Sequence, residues 1–139
     1  MITPDAAVAD TPRRVLLVED NDVNRIIATK LLEKRGHVVI AVENGALAVD
    51  RTATDEFDIV LMDVSMPVMD GLTATTHIRE REQVSGGHLP IVAVTAHALD
   101  QDRARCLAAG MDDYLPKPIR SADLFATVAR LSRAHQRVA

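Results

Sequence analysis

The sequence predicts one doubly wound α/β domain, a parallel sheet covered by helices on both faces. Short apolar runs recur without the alternation of a half-wet strand, helical spacing fills the intervals, and no repeat at solenoid spacing is present. The first twelve residues, "MITPDAAVADTP", are small, polar and broken by proline, and read as a linker or frayed tail. "RVLLVED" is the first strand, of the continuous buried type. Apolar residues at 23, 26, 27 and 31 form a helical stripe from Val23 to Leu31, ended by Gly36. "HVVIAV" is the second strand, and Asn44-Gly45 opens a second helix from Ala46 to about Thr54. "DIVLMD" is the third strand. A third helix runs from Gly71 to about Glu82 with Leu72, Thr75 and Ile78 inward, and "VSGGHLP" is a loop. "IVAVTA" is the fourth strand, and a less amphipathic helix from Asp100 to Ala109 ends at Gly110. "DYL" is a short fifth strand leading into "PKPI". Ser121 caps a last helix whose inner face is Leu124, Phe125, Val128 and Leu131.

Composition narrows the class. At 139 residues, 47% apolar and 26% charged, the chain is an ordinary globular domain and not a disordered or collagen-like one. No apolar run approaches the roughly 20 residues of a membrane span, and the N-terminus, with Asp5 and Asp10, does not read as a signal peptide. The single cysteine, Cys106, cannot form an internal disulfide, which points to a reducing cytoplasm. A net charge of −4 argues against direct binding of nucleic acid. Arg130, Arg133 and Arg137 read as a solvated helix face.

In such a fold, ligands bind beyond the carboxyl ends of the strands, where the strand order reverses. Strand one ends in Glu19-Asp20, strand three in Asp63 and strand four in Thr95, and strand five runs into Lys117. Singly, Asp20 and Asp63 could be helix caps, Thr95 a strand residue, and Lys117 an exposed lysine between prolines. Together, the sheet would bring three carboxylates within a few ångströms of one another. Such a cluster needs positive charge, and one lysine neutralises only part of it. Oxygen-only ligands suit Mg²⁺ better than zinc, and the five histidines are too scattered for a zinc site. An acidic metal pocket with a hydroxyl and a lysine suits phosphoryl transfer onto a carboxylate. Neither GxxxxGK[ST] nor GxGxxG is present after strand one, so no nucleotide is expected. Pro67 and Gly71 shape the loop after Asp63, and Asp70 reads as a turn or cap residue.

The motifs "VLLVEDN", "IVLMDVSMPVMDG", "IVAVTAHA" and "GMDDYLPKPI", in this order and spacing, closely resemble the receiver domain of two-component response regulators. The similarity covers residues 13–133, leaving 1–12 as the linker and 134–139 as a C-terminal tail. The resemblance implies a flavodoxin-like five-stranded sheet in the order 2-1-3-4-5 with five helices, and a cis Lys117–Pro118 peptide. It implies that Asp63 accepts a phosphoryl group from a phosphohistidine. Asp20 would bind Mg²⁺ (or Mn²⁺ in its place) directly, Glu19 mainly through water, and the Ser65 backbone carbonyl would add another ligand. Lys117 would contact the phosphoryl group, and Thr95 would close over it. Ser65 and His97 match positions that tune the lifetime of the acyl phosphate. Tyr114 matches an aromatic switch that fills space vacated by Thr95, with output through helix four (100–109), strand five and helix five (121–133). Such a domain is a signalling receiver that catalyses only its own phosphorylation and dephosphorylation.

"VEDNDVNRIIATKLLEKRGH" and "DVSMPVMDG" most resemble receivers attached to hybrid sensor kinases, and a free-standing regulator would look the same. The domain fills the chain, with no room for a helix-turn-helix or an output enzyme. The expected partners are a histidine kinase or histidine phosphotransfer domain and a downstream protein. No membrane insertion of this segment is expected, and the expected location is cytoplasmic, either free-standing or as part of a membrane-associated hybrid kinase. Two rival classes exist. An aspartate-nucleophile phosphatase would use the DxD spacing of Asp20-Asn21-Asp22, and a purely structural interaction module would accept no phosphate.

Overall fold

The computed structural model describes residues 11–96 and 100–132, with only the backbone described at 100 and 101. Residues 1–10 of the expected linker 1–12, the expected tail 134–139, and His97, Arg133 and Arg137 lie outside the described residues. Five strands, β1 (Arg14–Val18), β2 (Val38–Val42), β3 (Ile59–Asp63), β4 (Ile91–Thr95) and β5 (Asp113–Pro116), form one sheet. All pairings are parallel, in the order β2-β1-β3-β4-β5. The helices are α1 (Asp22–Lys34), α2 (Gly45–Thr54), α3 (Gly71–Ser85), α4 (Asp100–Ala109) and α5 (Ser121–Leu131).

Because successive strand side chains point to opposite faces, the central strands β1, β3 and β4 feed two cores. Val15, Leu17, Ile59, Leu61, Val92 and Val94 pack with Ala28 and Leu32 of α1 and Leu124 and Val128 of α5. Leu16, Val18, Val60, Met62, Ile91 and Ala93 pack with Ala48 of α2, Ala74 and Ile78 of α3 and Cys106 of α4. Burial on both faces is why these strands read as unbroken apolar runs. β2 is an edge strand, and its Val38 is exposed.

Helix ends follow side-chain chemistry, with corrections. Asn21, not Asp20, caps α1, its side chain accepting from the Asn24 N–H at 2.9 Å. Asn44 caps α2, and Asp70 caps α3 by accepting from the Thr73 N–H at 2.8 Å. Ser121 does not cap α5. The chain stays extended through Arg120, whose carbonyl takes the first helical bond from Leu124, and Ser121 is already inside the helix. α3 runs past Glu82 to Ser85 because Gly86, at φ 85, closes it with a bond from its N–H to the Glu82 carbonyl. In α1, Val23, Ile26 and Ile27 of the helical stripe are exposed, and Ala28 and Leu32 are buried.

At the end of the sheet where β4 and β5 begin, Arg79 of α3 is the unforeseen organiser. Its guanidinium donates to the carbonyls of Gly110 and Leu89 (both 2.8 Å) and pairs with Glu82 (2.8 Å) and Asp112 (2.9 Å). Asp112 also accepts from the Ile91 N–H. The arginine thus ties α3 to the loops that launch β4 and β5.

Candidate functional site

The topology delivers the expected residues to the opposite edge. Asp63 ends β3 and is 3% exposed. Glu19 and Asp20 follow Val18, whose register partner is Met62. Thr95 is one residue beyond Val94, the partner of Asp63 on β4, and is buried. Lys117 follows Pro116, the partner of Thr95, and its N–H donates to the Thr95 carbonyl at 2.8 Å. The Lys117–Pro118 peptide is cis, as expected.

Lys117 Nζ lies 3.0 Å from Asp63 Oδ2 and 3.3 Å from Glu19 Oε1. Asp63 Oδ1 accepts from the Ser65 N–H at 3.2 Å, and Glu19 Oε2 accepts from the Asn21 N–H at 3.2 Å. The carboxylates of Glu19, Asp20 and Asp63 come within 4.8 Å of one another, the first and last buried and Asp20 exposed. Burial pushes Glu19 up to about 7; its hydrogen bond to Asp63 and that group's charge add to the rise, against the Asn21 N–H and Lys117. In Lys117, burial works to lower the pKa, but the Asp63 hydrogen bond and the two carboxylate charges outweigh it and raise the pKa. The cluster is therefore short of positive charge. A hard cation could be held between Glu19, Asp20 and Asp63, with Asp20 open to solvent on the entry side.

The surrounding loops are shaped for this. Arg25 of α1 donates to the Glu19 carbonyl at 2.9 Å and pairs with Asp22. That contact was not foreseen, although an arginine three residues after an acidic helix start is a visible signal. Asp22 is thus engaged by Arg25, and the close carboxylate group consists of Glu19, Asp20 and Asp63. After Asp63, Val68 adopts φ 69 and is 83% exposed. A β-branched residue in the left-handed region is strained by about 1–2 kcal/mol. Val68→Asn is therefore expected to raise stability by about 1 kcal/mol, read as a higher denaturation midpoint.

Ser65 and Thr95 line one hollow of about 260 Å³. Tyr114 sits on β5 opposite Ala93, two residues before Thr95, half-buried against the α2–α4 core. The expected lifetime-tuning residue His97 lies outside the described residues.

Residues 15–129 match the response regulator receiver domain family. The sensor histidine kinase GacS of Pseudomonas protegens is 44% identical over 128 residues, a match covering 91% of this chain and 14% of that protein. The receiver domain of a sensor histidine kinase of Pseudomonas aeruginosa, with a magnesium ion coordinated in its active site cleft, is 41% identical. It superposes with a TM-score of 0.79 over 87% of this chain and 98% of that one. The receiver domain of the Saccharomyces cerevisiae response regulator Ssk1, crystallised with the histidine phosphotransfer protein Ypd1, is 29% identical. Its TM-score is 0.85 over 88% of this chain and 90% of that one. The chain spans a small fraction of the curated kinases that it matches. Among the described residues, no helix is long and apolar enough to cross a membrane. Four strand ends carrying the expected acids, hydroxyl and lysine, together with these matches, show that the chain belongs to the response regulator receiver domain family of two-component signalling.

Proposed function

We propose that Asp63 takes a phosphoryl group from a phosphohistidine in a Mg²⁺-dependent reaction and so switches a protein-binding surface. The observation that carries this reading is the Asp63 carboxylate, buried at a strand end, with Lys117 on one oxygen, the Ser65 N–H on the other, and Glu19 and Asp20 alongside. An Asp63 oxygen forms the new O–P bond while the P–N bond to the donor imidazole breaks, the imidazole leaving with the electron pair and taking up a proton. Lys117 balances charge on the transferring oxygens, and Thr95 stands one residue beyond the nucleophile's strand partner, placed to hydrogen-bond one of them. Asp20, Asp63 and the Ser65 carbonyl would hold Mg²⁺, with Glu19 acting through water, and the bound ion would supply further charge neutralisation. Mn²⁺ has the same ligand preference and would substitute. A calorimetric titration with beryllofluoride tests the reading. One equivalent per chain should bind with Mg²⁺ and none without it; equal binding in both conditions would refute it.

The raised pKa of Glu19 gives a pH dependence. Its folded value, about 7, lies above the ordinary 4.5, so the fold holds the proton more tightly than the unfolded chain. Stability from this group is full below pH 4.5 and declines as pH rises to about 7. Added Mg²⁺ should therefore raise the melting midpoint more at pH 8 than at pH 5, and Glu19→Gln should shrink that difference. Equal Mg²⁺ effects at the two pH values would contradict the assignment.

The donor approaches over α1. The exposed Ile27 lines a cleft of about 400 Å³ with Asn24, Leu31 and Ile119, and Glu19 and Lys117 reach it from the phosphoacceptor side. A histidine-bearing helix packed there would carry its imidazole to Asp63, and Ssk1 in complex with a phosphotransfer protein supports a partner of that kind. Ile27→Asp should slow transfer from a phosphorylated histidine phosphotransfer domain about tenfold or more, equivalent to about 1.4 kcal/mol. Labelling by acetyl phosphate, which needs no docking, should be unchanged.

A further inference from the structure

Tyr114 is the one tyrosine of the chain, which has no tryptophan. Its ring lies under the guanidinium of Arg103 from α4, 4.5 Å from guanidinium carbon to ring centroid. A hollow of about 220 Å³ beside this pair is lined by Arg103, Cys106, Leu107, Asp112, Asp113 and Tyr114. The hollow of about 260 Å³ at Thr95 also reaches Cys106. Buried Cys106 therefore stands between the tyrosine side and the threonine side. A ring that moves toward Thr95 must leave the cation stacked on its face. Arg103 itself is exposed and lines only the tyrosine-side hollow.

We propose that Arg103 is a latch on the switch: a positioning residue that holds the Tyr114 ring in its present place and so sets how often the switched state is visited without phosphate. This rests on reading Tyr114 as the switch. The ring face is the negative end of its quadrupole, and a cation over it stabilises that placement alone. Removing the cation should enlarge the switched population about two- to fivefold, equivalent to about 0.5–1 kcal/mol for a half-exposed pair. A ligand that needs the switched state gains affinity by the same factor while that state is a minority.

Labelling the chain with 3-fluorotyrosine gives a single ¹⁹F resonance for Tyr114. In wild type, beryllofluoride with Mg²⁺ should move it, and Thr95→Ala should suppress the movement. Arg103→Leu, which keeps a helix-forming aliphatic chain, should displace the resonance in the same direction before beryllofluoride is added. It should also tighten beryllofluoride binding about two- to fivefold, with Arg103→Lys intermediate. In a Tyr114→Ala background, Arg103→Leu should leave beryllofluoride affinity unchanged. If wild type responds but Arg103→Leu has wild-type resonance and affinity, the latch is overturned and the switch reading stands. The latch also falls if Arg103→Leu changes affinity equally with and without Tyr114. If beryllofluoride does not move the wild-type resonance, the switch reading fails and takes the latch with it.

Discussion

Asp63→Asn is expected to fold and to take up no phosphoryl group from acetyl phosphate with Mg²⁺, labelling falling to background. The amide is nearly isosteric but is a poor nucleophile and a weaker metal ligand. The fold should survive, because the substitution removes one of three crowded carboxylates. Lys117 keeps a partner in Glu19 at 3.3 Å. Glu19 should titrate lower than about 7, since the Asp63 hydrogen bond and charge both raise it. Stability should stay within about 1 kcal/mol of wild type, read by denaturant midpoints. Full labelling of Asp63→Asn would move the nucleophile elsewhere.

Gly71→Ala should be the most destabilising single methyl in the chain's phosphoacceptor loop. A Cβ there would stand 2.2 Å from the Asp63 carbonyl oxygen and 2.9 Å from Met62 Cγ, and the first neighbour is backbone that cannot rotate aside. The Gly71 N–H is also bonded to the Val64 carbonyl at 3.0 Å, so helix and strand end are held together at this point. The loss is expected at about 2–3 kcal/mol, with slower phosphorylation because the strand end carrying Asp63 must shift. Gly36→Ala is the comparison: nothing lies within 4 Å of its Cβ, and only its φ of +91 opposes the change, at about 1 kcal/mol. Equal losses at the two positions would show that the contact with Asp63 is not what matters.

The sheet and the polar residues at its strand ends are legible in the sequence for one reason. Strands buried on both faces write themselves as unbroken apolar runs, and Glu19, Asp63 and Thr95 interrupt those runs at their ends. Surface placement was less legible. Val23, Ile26 and Ile27 keep helical spacing yet face outward, because Ala28 and Leu32 turn the other side of α1 to the sheet. Periodicity finds a stripe without saying what covers it. Arg79 escaped notice because its acceptors include the backbone carbonyls of Leu89 and Gly110, which carry no side-chain signature. Ser121 lies one position inside α5 and not at its cap, since a cap depends on where the chain turns and not only on residue type. The thin apolar face of α4 was visible, and among its described side chains only Cys106 is buried.

We propose that the phosphoryl group on Asp63 comes from a phosphohistidine. The most direct measurement is mass spectrometry of the chain after incubation with a phosphorylated histidine phosphotransfer domain, with Mg²⁺ and with chelator. One added phosphoryl group is expected with Mg²⁺ only, localised to the peptide bearing Asp63 and removed by hydroxylamine, as an acyl phosphate must be. A hydroxylamine-resistant phosphate, or one on a peptide without Asp63, would contradict it.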